Sequence, residues 1–108
     1  MKTYHTKRGD TWPPLECTLT QAGGEPIPLD GASVRLLARL IGSPNTEINR
    51  DMTVVDAVRG VVSVTLTAQD TAIAGTYQAE SEVVFATGFR VTVPNDQYFT
   101  LNILEDIR

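Results

Sequence analysis

Residues 60–77, GVVSVTLTAQDTAIAGTY, constrain the fold more than any other stretch of this chain. Val62, Val64 and Leu66 alternate with Ser63, Thr65 and Thr67, the two-residue period of a strand with one buried face. Thr67 and Asp70 have the spacing of a capping box, in which a hydroxyl and a carboxylate each satisfy a backbone amide of the other's residue. That spacing predicts a short helical turn, which Gly75 can end. Tyr77 begins the next alternating run, where its ring can fill the core while its hydroxyl bonds backbone across the corner. Strand, capped turn and tyrosine-bearing strand together specify a corner of an all-β protein. No catalytic chemistry is visible in it.

Further short strands are predicted on both sides. Leu15, Cys17 and Leu19 alternate with polar residues after Pro13 and Pro14, which suit a strand entrance or a sheet edge. Residues 21–31, QAGGEPIPLDG, are rich in turn formers. Residues 32–41 contain good helix formers, yet Val34, Leu36, Ala38 and Leu40 keep a two-residue period, so the segment is read as a strand. Residues 47–58 carry Ile48, Met52 and Val54 on one face, interrupted by Asn49-Arg50-Asp51, and fit two short strands or one bulged strand. Beyond the corner, Tyr77, Ala79, Ser81, Val83 and Phe85 share a face, and Thr87-Gly88 turns the chain towards Phe89, Val91 and Val93. A turn at residues 94–97 precedes a last strand with Phe99, Leu101 and Ile103. About seven short strands at regular spacing predict an immunoglobulin-like two-sheet sandwich over residues 11–108, with one short helical turn. Residues 1–10 are polar and aperiodic and are expected to be a flexible arm.

Composition limits the function classes. The 108 residues suffice for one domain with a single core, and 42% hydrophobic with 20% charged residues is ordinary for a globular protein. Thirteen acidic against nine basic side chains give a net charge of −4, the wrong sign for attraction to a phosphate backbone. No run of apolar residues is long enough for a membrane span or a signal peptide, so neither nucleic acid nor membrane is expected as a partner. Cys17, as the only cysteine, leaves no internal disulfide and is expected to face the core.

The residues capable of chemistry are scattered. His5 and Cys17 stand alone, whereas a zinc site or a cysteine nucleophile needs several convergent partners. Glu80 and Glu82 share one face of a strand and fit a solvated sheet surface better than a carboxylate pair. Asp51, Asp56, Asp70 and Asp96 do not reproduce a calcium-loop spacing, and Gly23-Gly24 lacks the lysine and helix of a phosphate loop. The expectation is therefore a non-enzyme with no metal and no cofactor. Arg8-Gly9-Asp10 spells an integrin-recognition tripeptide but reads more simply as a turn. The candidate docking residues are Lys2, Lys7 and Arg8 on the basic arm, and Trp12, which either anchors a partner or covers an end of the sandwich. Deleting the arm is expected to spare the fold.

The order of several short pieces resembles one family. Arg8-Gly9-Asp10-Thr11 precedes the first strand of the sandwich, Ile27-Pro28-Leu29-Asp30-Gly31-Ala32 the second, and Gly60-Val61-Val62 leads into the corner. Asp70-Thr71 and Gly75-Thr76-Tyr77 complete the corner, and the hairpin through Gly88 with Val93-Pro94-Asn95-Asp96 extends the match over most of the chain. In this the sequence is similar to the N-terminal immunoglobulin-like domain of upper baseplate proteins of tailed bacteriophages. The resemblance implies a virion structural module of the tail or baseplate, made in the host cytoplasm, that docks on other phage structural proteins in a homo-oligomer or other symmetric assembly. Head decoration or head-tail joining is an alternative within the virion. A carbohydrate-binding or adhesion module is an alternative outside it, disfavoured by few aromatic residues. Family members often continue into stalks and receptor-binding domains, whereas this sequence stops soon after its last predicted strand.

Overall fold

The computed structural model describes residues 3–94 and 99–107 and is all-β, with no helix among them. Eight strands are formed: β1 (Thr3–Lys7), β2 (Leu15–Thr18), β3 (Ser33–Leu40), β4 (Ile48–Asp56), β5 (Val61–Val64), β6 (Gly75–Val84), β7 (Arg90–Val93) and β8 (Phe99–Leu104). They make one mixed sheet in the order β1-β8-β6-β3-β4-β5-β2, with β7 on β6, that curls until it nearly closes into a barrel. Every pairing is antiparallel except β1 with β8.

Alternation places the core. Val34, Leu36 and Ala38 on β3, Tyr77, Ala79 and Val83 on β6, and Leu101 and Ile103 on β8 all point inward and are buried. Cys17 joins them. Strand β4 is one long element that pairs with β3 through Ile48–Met52 and with β5 from Thr53 onward, and a bulge between Val54 and Asp56 shifts the register of the β5 pairing. On β6 the partner changes between Ser81↔Val93 and Ala79↔Phe99, so β7 and β8 follow one another along the same side of β6. The greater part of the turn expected at residues 94–97 lies outside the described residues. The turn-rich segment 21–31 does more than connect, since Ile27 and Leu29 enter the core from it.

One expectation is met only in part and another is corrected. Residues 68–71 form a hydrogen-bonded turn with one bond of helical step, from the Thr71 amide to the Thr67 carbonyl, and no helix extends from it. The Asp70 carboxylate folds back on the Thr67 amide and caps the start of this turn. Residues 3–7 of the expected flexible arm are instead strand β1, in parallel register with β8 from Thr3↔Thr100 to Lys7↔Leu104. Polar side chains concealed the strand, because Thr3, His5 and Lys7 face solvent while Tyr4 packs on the core. The Tyr4 ring meets Phe99 edge-on, with centroids 5.6 Å apart.

Candidate functional site

The densest polar cluster is the corner between β5 and β6. The Asp70 amide donates to Thr67 Oγ1 (3.1 Å) and the Thr67 amide donates to Asp70 Oδ2 (2.9 Å), the reciprocal pair of a capping box. Arg50 then clamps it: Nε donates to Asp70 Oδ2 at 2.7 Å, and Nη2 to Asp70 Oδ1 at 3.2 Å and Thr67 Oγ1 at 3.3 Å. This planar fork on a largely buried carboxylate is the strong form of ion pair. Burial pushes the Asp70 carboxyl upward, but Arg50 and the Thr67 amide and hydroxyl outweigh it and hold the group below its usual range. Tyr77, fully enclosed, donates its hydroxyl to the Ile73 carbonyl at 2.8 Å. Burial, and then the charge of Glu47, raise its pKa.

Arg50 is the residue that sequence reading missed. It occupies an inward position of β4 between the buried Ile48 and Met52, so an arginine within an apolar alternation was the available signal for a buried acidic partner.

The second cluster joins the chain's beginning to its end. The Arg8 amide donates to the Leu104 carbonyl (2.8 Å), and the Arg8 guanidinium pairs with Asp106 at 2.9 Å and Glu105 at 3.6 Å. The Gly9 amide donates to the Thr71 carbonyl (3.1 Å), and Thr71 Oγ1 donates to the Asp10 carbonyl (3.2 Å). Residues 8–10 are therefore a turn folded against the corner, with Gly9 at φ 84°. Such a turn does not display Arg8-Gly9-Asp10 as an adhesion loop. Arg8 is occupied within its own chain. Lys7 ends β1 with its side chain in solvent, and Lys2 lies outside the described residues. His5 is exposed.

Trp12 is 80% exposed and covers no end of the sheet. Ile41, Ile73, Leu104 and Ile107 are also exposed. Ile41, Ile73 and Leu104 belong to the same end of the molecule, because the Ile41 amide bonds the Thr76 carbonyl, Ile73 accepts from Tyr77, and Gly75 pairs with Ile103 beside Leu104. A groove of about 410 Å³ between Ala74–Thr76 and Asn102–Glu105 runs across that end. Glu82 lies 3.9 Å from Arg90, on an outward face shared with Glu80, as a solvated sheet surface requires. Among the described residues no group of three or more potential metal ligands converges, and no helix is long and apolar enough to cross a membrane. No protein-family profile matches the chain, and no curated protein matches it significantly.

Proposed function

We propose that the chain is an immunoglobulin-like sandwich acting as a structural protein of a phage particle, in the tail or baseplate, by docking on other proteins. The sandwich reading is supported by the corner: a capped turn followed by a tyrosine whose hydroxyl bonds backbone four residues upstream is a recurrent device of such domains. It is supported too by the passage of β4 from pairing with β3 to pairing with β5, as expected of a strand shared between the two layers of a sandwich.

The observation that carries docking is Trp12, an indole left 80% exposed on a segment whose neighbours in sequence are also exposed. Aromatic side chains of this kind are the commonest interface anchors, because they remove large area from water at little cost in side-chain entropy. The phage setting rests on the resemblance in sequence order described above. The test is mass spectrometry of purified virions. The reading requires the chain in them at a copy number set by tail symmetry, and requires Trp12→Ala to lower incorporation at least tenfold while leaving the melting temperature unchanged. Absence from purified particles overturns it.

A further inference from the structure

Residues 3–10, beginning with strand β1, are attached to the remainder of the chain in an unusual way. All of β1's strand pairing is to β8. Tyr4 meets Phe99 of β8 edge-on, and its hydroxyl lies beside the Cys17 side chain of β2, so that it bridges the gap between the two end strands. Behind β1, Arg8 is held by Asp106 and Glu105, and Gly9 and Asp10 by Thr71. Then the contacts stop. Residues 11–14 are all exposed and none of them makes a hydrogen bond. Pro13 and Pro14 have no amide to donate, so straightening this hinge breaks no hydrogen bond. A cohesive clip thus joins the fold through four unattached residues.

We infer that this clip is exchangeable, and that the slot between β8 and β2 receives β1 from a second copy of the chain. The occupant is specified by the slot itself. A strand from another copy brings the same Tyr4 ring to Phe99 and Cys17 and the same Arg8 guanidinium to Asp106. Closed monomer and exchanged dimer then differ only in the hinge and in the entropy of association, so exchange prevails where the local concentration is high, as in an array. This inference rests on the docking reading and supplies its partner: another copy, held by strand addition.

His5 and Asn102 are register neighbours across β1 and β8. Adjacent strands lie about 4.8 Å apart, inside the span a disulfide bridges. The double variant His5→Cys/Asn102→Cys, equilibrated at millimolar concentration and then oxidised, is read on a non-reducing denaturing gel. Exchange requires a disulfide-linked dimer whose yield rises with the concentration before oxidation. A wholly intramolecular bond at every concentration overturns it. If that variant does not fold, deletion of Thr11 and Trp12 from the otherwise native chain decides, because a hinge too short to fold back forces exchange. Light scattering at twice the monomer mass, with the strand content retained, supports exchange, and a folded monomer overturns it. A dimer whose bond is intramolecular removes strand exchange while leaving the docking reading intact, whereas absence from virions removes the docking reading alone.

Discussion

At the scale of single residues, the corner concentrates the chain's most consequential side chains. Tyr77 combines a fully buried ring with one hydrogen bond to the Ile73 carbonyl. Tyr77→Phe therefore loses about 1 kcal/mol, and Tyr77→Ala about 3–5 kcal/mol through the cavity it leaves, both read from urea midpoints at constant slope. Equal and negligible shifts would show that the bond carries nothing. Asp70 gives the fold its acid sensitivity. Its folded-state pKa is depressed, so its stabilisation is complete above the unfolded carboxyl value of about 3.9 and disappears as pH falls through the lower folded value. Asp70→Asn should lose about 1–2 kcal/mol at neutral pH with the cap and the ion pair, and the gap to the native chain should narrow below about pH 4. A gap independent of pH would remove the ionised carboxylate from the account. The capping box was readable because its partners stand three apart in sequence; Arg50, twenty residues from Asp70, was not.

At the scale of elements, alternation revealed most strands because each presents one face to a single core. Residues 32–41 illustrate it: helix-forming composition yields to the period of Val34, Leu36 and Ala38, since β3 lies between β4 and β6 with its inward side chains enclosed. Alternation failed for β1, which buries only part of one side chain in two and forms against residues about a hundred positions away. It failed also for Ile27 and Leu29, core residues set among turn formers. Two glycines govern how elements meet. Gly60 has φ 71°, and a Cβ there would lie 2.6 Å from the Leu19 carbonyl, a backbone atom fixed by its own bonding to Ile27. Gly75 has φ 151°, and its Cβ would lie 2.6 Å from Leu40 Cδ1, the end of a side chain. Both alanine substitutions destabilise, Gly60→Ala by about 2–5 kcal/mol from combined conformational strain and overpacking. Adding Leu40→Val should recover part of the Gly75→Ala loss, whereas no neighbouring side-chain substitution should recover Gly60→Ala. Thermal melts of Gly60→Ala, Gly75→Ala and Gly75→Ala/Leu40→Val check this, and full recovery of Gly60→Ala by a side-chain change would contradict it.

At the scale of the whole molecule, the sheet has two ends, β1 and β2, brought face to face by its curl. The Tyr4 hydroxyl against the Cys17 thiol bridges them, and burial together with that contact raises the tyrosine's pKa. This reverses the expectation that residues 1–8 can be removed without effect on the fold. Their removal exposes the β8 edge from Thr100 to Leu104, uncovers Phe99 and Cys17, and leaves Asp106, largely buried, without its guanidinium. An edge stripped of its partner also becomes a template for other strands. A chain lacking residues 1–8 should therefore melt at least 10 °C lower, since about 1 kcal/mol corresponds to roughly 4–8 °C in a domain of this size and a seated aromatic with its strand is worth several such units. It should also aggregate on concentration. Adding a synthetic peptide of residues 1–10 in excess should raise the melting temperature in proportion to the logarithm of its concentration, because the peptide binds the folded chain alone. Arg8→Ala in the peptide should weaken that rise and Tyr4→Ala should abolish it. A truncated chain that melts with the intact one would mean that β1 lies on the sheet without supporting it, and its exchange could then hold no two copies together.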